Sequence, residues 1–407
     1  MYQKKVLENN LVLFYETVPE DIVFLSVGFH IGALDDIKKG TAHFCEHMLY
    51  QSSSNRTSDQ ANEELELLGT KHNARTSYDC TIFDAVCQVK DIDQVADIVF
   101  DRLLHPLFDL KEIEQERGVI LQELQEDEDD ISGKAQILKQ SALFNGTSFD
   151  TNILGSKKSI KSIKQKDLQE FWSKNYVANN CVIFIRGNLQ LSEIEDKFTK
   201  YFVQFRNDGR PNKIRSFYEP LNKVKQYIEE EKTDLQNISV VYAPIDGRDV
   251  YKSLCVSMLD SMLSDGLSSV LMKELRKLGL VYGIYAETFS FGNCKFNSIN
   301  LFTTVEHKKI IAKLKQLLED FVENGITDQQ VQKVFNSLEV ELLLDKNDLN
   351  SRNSSAMNSY IMCEQPYDER REEMLEALKR INTVTLKEIA REIFKDESWV
   401  CVGPKLK

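Results

Sequence analysis

The chain closes in the same way twice. Residues 163–168 lead through a short helical stretch into Cys181-Val182-Ile183-Phe184-Ile185-Arg186-Gly187. Residues 384–389 lead through another into Trp399-Val400-Cys401-Val402-Gly403. Each half also opens on strand-like segments, which include residues 22–27 in the first and 238–242 in the second. A helical stretch, a strand pair and a longer helical region follow in both. A pattern repeated in order over half a chain implies one structural unit present twice. At 407 residues the chain is also too long for one ordinary core. The join falls in the polar Gly/Pro stretch 207–213. The expected domains are therefore residues 1–208 and 223–407, with a linker at 209–222.

The two halves differ in their histidines. Of six in the chain, at positions 30, 43, 47, 72, 105 and 307, only the last lies in the second half. Two sit in Thr41-Ala42-His43-Phe44-Cys45-Glu46-His47-Met48-Leu49. On a helix, His43 and His47 lie one turn apart on one face, and Glu46 joins them. Ala42, Cys45, Met48 and Leu49 form an apolar stripe on the other. Such a helix buries one side and aims two neutral nitrogen ligands and a carboxylate at a metal. The bland alternative is a helix with two incidental histidines. His-x-x-Glu-His is the zinc-peptidase signature in inverted order.

A catalytic zinc site takes three protein ligands and keeps one position open. Residues 112–124 read as a second helix, with Ile113, Ile120, Leu121 and Leu124 as its apolar stripe. Glu116 and Glu123 stack two turns apart on a face that borders that stripe. A carboxylate there is costly unless paired or bound to metal. This makes Glu123 the candidate third ligand, although the periodicity suits an ordinary surface Glu equally well. The second half has no such motif and cannot repeat the site.

Together these residues resemble the inverzincin, or pitrilysin-like, peptidases, the group that includes insulin-degrading enzyme and mitochondrial processing peptidase. Glu123 stands 76 residues after His47, the spacing of that family's third ligand, and Glu116 matches its Glu seven positions earlier. Gly69-Thr70-Lys71-His72-Asn73-Ala74-Arg75-Thr76 resembles a family strand. Leu275-Arg276 followed by Gly279-Leu280-Val281-Tyr282 resembles the family's Arg…Tyr element, with one position fewer between the two residues.

The resemblance implies an α+β fold of two tandem homologous domains, each a mostly antiparallel sheet flanked by helices. One Zn2+ per chain would be held by His43, His47 and Glu123. Glu46 would be the general base, and Glu116 would orient a ligand or the water. Asn73, Ala74 and Thr76 would bind extended substrate by strand addition; an ordinary sheet strand with Asn73 in a turn is the competing reading. Arg276 and Tyr282 would donate to substrate carbonyl oxygens. The implied activity is zinc-dependent endopeptidase cleavage of unfolded peptides. The alternatives are a site-specific processing peptidase for precursor proteins, or a non-catalytic scaffold subunit of the same fold. Because the metal sits in one domain and the other completes the chamber, a two-fold homodimer is expected. A heterodimer with a related chain is the variant of that expectation.

Composition narrows the partners. A net charge of −13 argues against a nucleic-acid backbone. No run of about 18 apolar residues is present, so no membrane span is expected. The N-terminal residues show no apolar signal-peptide core. The eight cysteines are scattered singly, which suits reduced thiols and a cytoplasmic location. The acidic run Glu126-Asp127-Glu128-Asp129-Asp130 reads as a solvated helix end, or else as an acidic wall favouring basic peptides.

Overall fold

The computed structural model describes residues 2–147, 149–150, 152–210, 223–230, 234–242, 244–291, 293–347, 349–395 and 397–405. The expected linker lies outside the described residues from position 211 onward. The chain forms two compact units. One comprises Met1–Glu126, Thr151–Arg215 and Leu349–Asp368, and the other Asp127–Asp150, Ser216–Asp348 and Glu369–Lys407. The contiguous boundaries expected at 208 and 223 therefore do not describe the units. Each half of the sequence sends a helical segment into the unit built mainly by the other.

The first unit holds strands β1 (Gln3–Val6), β2 (Val12–Thr17), β3 (Ile22–Phe29), β4 (Lys71–Thr76), β5 (Thr81–Gln88) and β6 (Cys181–Gly187). They form a six-stranded sheet in the order β1-β2-β6-β3-β5-β4. Only the β2/β6 pair is parallel. Val23, Leu25, Val27 and Phe29 point to one face, where helices Thr41–Met48, Ile92–Leu104, Gln165–Asn175 and Leu191–Phe202 close the main core. The opposite face, with Val12, Phe14, Val182 and Phe184, packs against Met357, Tyr360 and Ile361 of helix Leu349–Cys363, a helix from the second half. Burial on both faces is why β3 and β6 read as nearly unbroken apolar runs. Gly28 belongs to this arrangement, since a Cβ there would meet Met357 Sδ at 2.7 Å. The exchanged helix is also held by hydrogen bonds. Asn353 donates to Ser26 Oγ at 2.6 Å, and Ser26 donates to Asp84, its register partner on β5, at 2.5 Å.

The second unit holds β7 (Lys225–Glu229), β8 (Gln236–Tyr242), β9 (Ile245–Asp246), β10 (Gly283–Phe291), β11 (Cys294–Thr303) and β12 (Glu397–Gly403). Its order is β10-β11-β8-β12-β7, with β9 paired to β11. Read from β7, this is the order of the first sheet from β2 onward, and again one pair, β7/β12, is parallel. The duplication expected from the sequence is thus a duplication of topology. Helix Ile131–Phe144, from the first half, covers one face. Its Lys139 donates to Ser239 Oγ at 2.9 Å, and Ser239 sits opposite Asn300 as Ser26 sits opposite Asp84. The acidic run ends the helix before it, and Asp130 caps Ile131–Phe144 by accepting from Gly133 N at 2.6 Å. No described helix is long and apolar enough to cross a membrane.

Candidate metal centre

Helix Thr41–Met48 starts abruptly at Gly40, whose φ of 91° is left-handed and suits glycine. A Cβ there would meet Leu154 O at 2.6 Å. Asp36 satisfies the first-turn donors, accepting from Gly40 N at 2.5 Å and Ala42 N at 2.7 Å. Ala42, Cys45, Met48 and Leu49 are buried as the stripe requires, and Phe44, outside that stripe, is buried as well. Helix Leu110–Asp129 packs beside it through Ile113, Ile120 and Leu124. Arg117 braces the pair, with its guanidinium 5.2 Å from the Phe44 ring and hydrogen bonds to Ile160 O and Ile163 O.

These two helices bring the proposed ligands together. One ligand atom each from His43, His47 and Glu123 lies within 4.8 Å of the others. Glu123 Oε2 is 3.9 Å from His43 Nε2 and 3.6 Å from His47 Nε2. Burial, and then the neighbouring His47, push His43 down to about 3, so it stays neutral and able to ligate. Its Nδ1 is buried with no hydrogen-bond partner among the described residues. Glu116 does not join the triad. Its Oε2 lies 2.9 Å from His47 Nδ1, and its Oε1 accepts from Gln51 Nε2 at 2.9 Å. For His47, burial opposes the charged form, yet the hydrogen bond to Glu116 and the charges of Glu123, Glu46 and Glu116 raise it overall.

Glu46 is buried on the same helix, and Thr76 donates to its Oε2 at 2.7 Å. Burial raises the Glu46 carboxyl, against the Thr76 hydrogen bond and the His47 charge. Thr76 ends β4, an edge strand whose one described partner is β5. Asn73 lies within that strand opposite Asp84, so the turn reading for it falls away, and Ala74 lies opposite Phe83. Arg276 and Tyr282 belong to the second unit. Arg276 ends the helical segment Met272–Arg276, and Tyr282 immediately precedes edge strand β10. Both are exposed.

Two residues of the centre were not anticipated. Gln51 lies in the turn after the motif helix, three residues beyond Met48, where helical spacing no longer fixes direction. Asp36 lies five positions before the motif helix, outside the usual capping position. Thr76, expected to touch substrate, is bound to the proposed base.

The fold is thus a duplicated α+β unit with a His-x-x-Glu-His helix, a distal carboxylate and an adjoining edge strand in one copy. Residues 11–157 match the family model described as insulinase, peptidase family M16, and residues 162–338 match the one described as peptidase M16 inactive domain. The chain belongs to peptidase family M16. It is 22% identical over 362 residues to the uncharacterized zinc protease YmxG of Bacillus subtilis, covering 88% of this chain and 86% of that one. It is 31% identical over 182 residues to the mitochondrial-processing peptidase subunit beta of Caenorhabditis elegans, covering 44% and 40% of the two chains. The crystal structure of a protease from Helicobacter pylori superposes with a TM-score of 0.90 at 17% identity, over 99% of this chain and 100% of that one. At that identity the likeness speaks for the fold.

Proposed function

We propose that the protein is a zinc-dependent endopeptidase acting on unfolded peptides. The observation that carries this reading is the convergence of His43, His47 and Glu123 beside a carboxylate, Glu46, that Thr76 holds in place. The donor set fits zinc, with two imidazole nitrogens and one carboxylate oxygen. The 3.6 and 3.9 Å separations are also near the ~3.3 Å between ligands about 2.0–2.1 Å from a tetrahedral centre. When bound, zinc supplies Lewis acidity toward a peptide carbonyl and lowers the pKa of water.

The chain's own residues do the rest. Glu46 takes the proton of the attacking water and passes it to the leaving amine. Its raised affinity for a proton, caused by burial, suits it to hold that proton in between. Thr76 fixes one carboxylate oxygen and leaves the other to work. Glu116 anchors His47 through Nδ1, so Nε2 faces the ligand position. An extended peptide added along Asn73, Ala74 and Thr76 would run beside Glu46 and be held by main-chain hydrogen bonds. Arg276 and Tyr282 supply donors to substrate carbonyls from a second copy of the chain, in a two-fold homodimer. A cytoplasmic location belongs to the same reading and is supported by cysteines that stand singly along the sequence, with no close pairs of metal-binding spacing.

A second reading, a processing peptidase that removes one segment from precursor proteins, is favoured by the 31% identity to the Caenorhabditis elegans subunit. Cleavage of many short peptides against cleavage of one precursor at one site separates the two. The test of the common mechanism is hydrolysis of a quenched fluorescent peptide library, with zinc content measured on the same samples. The parent should carry about one zinc per chain and cleave. Glu46→Gln should keep the zinc and lose at least about a hundred-fold in rate. Zinc-loaded parent without activity would favour the scaffold reading, and equal rates in both would sink the assigned base.

A further inference from the structure

Helix Ile92–Leu104 of the first unit buries a cation that no carboxylate meets. Arg102 is 5% exposed. Its Nη2 donates to Asn62 Oδ1 of helix Ser58–Leu67 at 2.7 Å, and its guanidinium lies 5.5 Å from the Tyr50 ring. Its Nε is buried with no hydrogen-bond partner among the described residues. The carboxylates around it are occupied. Asp101 accepts from Ser53 Oγ at 2.5 Å and Asn55 Nδ2 at 2.7 Å, and lies 3.9 Å from Arg56 Nη1. Asp97 pairs with Arg56 at 2.8 Å. Arg102 itself enters no ion pair among the described residues.

Arg102 borders a cavity of about 20 Å³ whose walls, Leu49, Leu65, Phe83, Val99 and Leu103, are apolar. Tyr50 and His72 complete it, with their rings stacked at 5.6 Å. Both are half-buried, as is Val99, which gives the cavity access to solvent. Asp84 also borders it, but not with its carboxylate. Phe83 and Ala85 face this core, so the Asp84 side chain alternates to the other face of β5. There it accepts from Ser26 Oγ and Arg75 Nη1, each at 2.5 Å. The cavity thus holds one guanidinium and no counter-charge among the described residues.

We propose that this cavity binds one monovalent anion of halide size, chloride in ordinary solution, against the Arg102 guanidinium. A buried cation without a counter-charge is costly. Arg102 does not escape that cost by losing its proton: burial, with the Arg56 charge, pushes it down only to about 10, so it is charged at neutral pH. The Asn62 oxygen and the Tyr50 ring supply dipoles, not a charge. A water would accept from Nε and leave the charge unpaired. Size and walls choose the anion. The volume suits one water-sized or halide-sized guest and excludes a tetrahedral oxyanion. A carboxylate would bring a second oxygen to apolar walls that offer it no donor. His72 belongs to β4, and Tyr50 stands in the turn after the motif helix. The ion therefore sits where the edge strand meets the end of that helix.

The test is thermal unfolding of the full chain at constant ionic strength, with gluconate replaced stepwise by chloride, beside crystals soaked in bromide. Tm should rise saturably, by at least about 2 °C, between no chloride and about 100 mM. An anomalous bromide peak should stand beside Arg102 Nε. Chloride should also raise the titration midpoint of His72 in proton NMR, its resonance assigned by its loss in His72→Gln. Burial and then the Arg102 charge lower His72, against Glu66, and the bound ion offsets the Arg102 part. Arg102→Met should abolish the Tm response. Val99→Phe, which closes the cavity from a half-buried wall and keeps Arg102, should do the same if Arg102→Met fails to fold. Absence of both a saturable rise and a bromide peak would leave the cavity to water and overturn the proposal. A rise that persists in both variants is a general salt effect and overturns it too. An equal response to acetate would assign the cavity to a carboxylate group, and a bromide peak without a saturable response in solution would mean an adventitious ion only. Either result rejects a chloride site.

Discussion

Glu116 and Thr76 each act through another side chain, and the difference between them is measurable. Glu116 holds His47 by the nitrogen that does not face Glu123, so its loss frees the imidazole to rotate. Glu116→Ala should weaken zinc affinity by about 10- to 100-fold in chelator competition, and activity should recover when zinc is supplied in excess. The Thr76 hydroxyl acts on the base rather than on a ligand. Thr76→Val should leave zinc affinity unchanged and lower kcat by roughly 10- to 100-fold, because the carboxylate loses its fixed geometry. A shared phenotype in the two variants would contradict the separation of holding metal from positioning the base. Of the candidate ligands, His43 and His47 were legible in the sequence because i and i+4 on a helix fix side-chain direction, whereas Glu123 rested on the family resemblance, periodicity suiting a surface Glu equally well. Gln51 lies in the turn beyond the end of that helix, where spacing does not fix direction and no motif marks it. Thr76 was marked by resemblance to a strand, and spacing along a strand does not say which helix the strand faces.

At the scale of elements, the strands and both site helices follow from periodicity, but the exchange of helices does not. Periodicity shows that Ile131–Phe144 and Leu349–Cys363 have sides to bury. It does not say which sheet receives them. What fixes each helix on its sheet is a polar residue meeting a serine in mid-sheet, Asn353 with Ser26 and Lys139 with Ser239. Lys139 is the more exposed to test. Burial, opposed only by the Glu287 charge, pushes its ammonium down to about 8 from an ordinary value near 10.5. Between those values the unfolded chain keeps a proton that the folded chain has lost. Stability therefore rises with pH across the window from 8 to 10.5, and that gain is lost as pH falls through 8. Denaturant unfolding at pH 8 and pH 10 should show the parent gaining on Lys139→Met by about 2 kcal/mol. Parallel pH profiles in the two proteins would mean that Lys139 is not buried as a charge.

For the whole molecule, the duplication leaves one copy with the candidate metal residues and the other with Arg276, at the end of a helical segment, and Tyr282, just before an edge strand, both exposed. The second copy shares the topology but has no His-x-x-Glu-His, as its match to the M16 inactive domain accords with. A proposed homodimer in which each metal centre is completed by the partner's second unit predicts complementation. Glu46→Gln and Arg276→Ala should each be nearly inactive alone. In a mixed dimer, one centre combines both defects and the other has neither. Random exchange of equal amounts makes half the dimers mixed, each with one of two centres intact, so activity should return to about a quarter of the parent's. A monomer that needs both residues in one chain gives no return at any mixing ratio. Sedimentation of the same mixture distinguishes that outcome from failed subunit exchange, because a monomer sediments at 46.9 kDa. Recovery near a quarter, together with a species of twice that mass, would place Arg276 at the metal centre of another chain; a monomer with no recovery would reject the dimeric site.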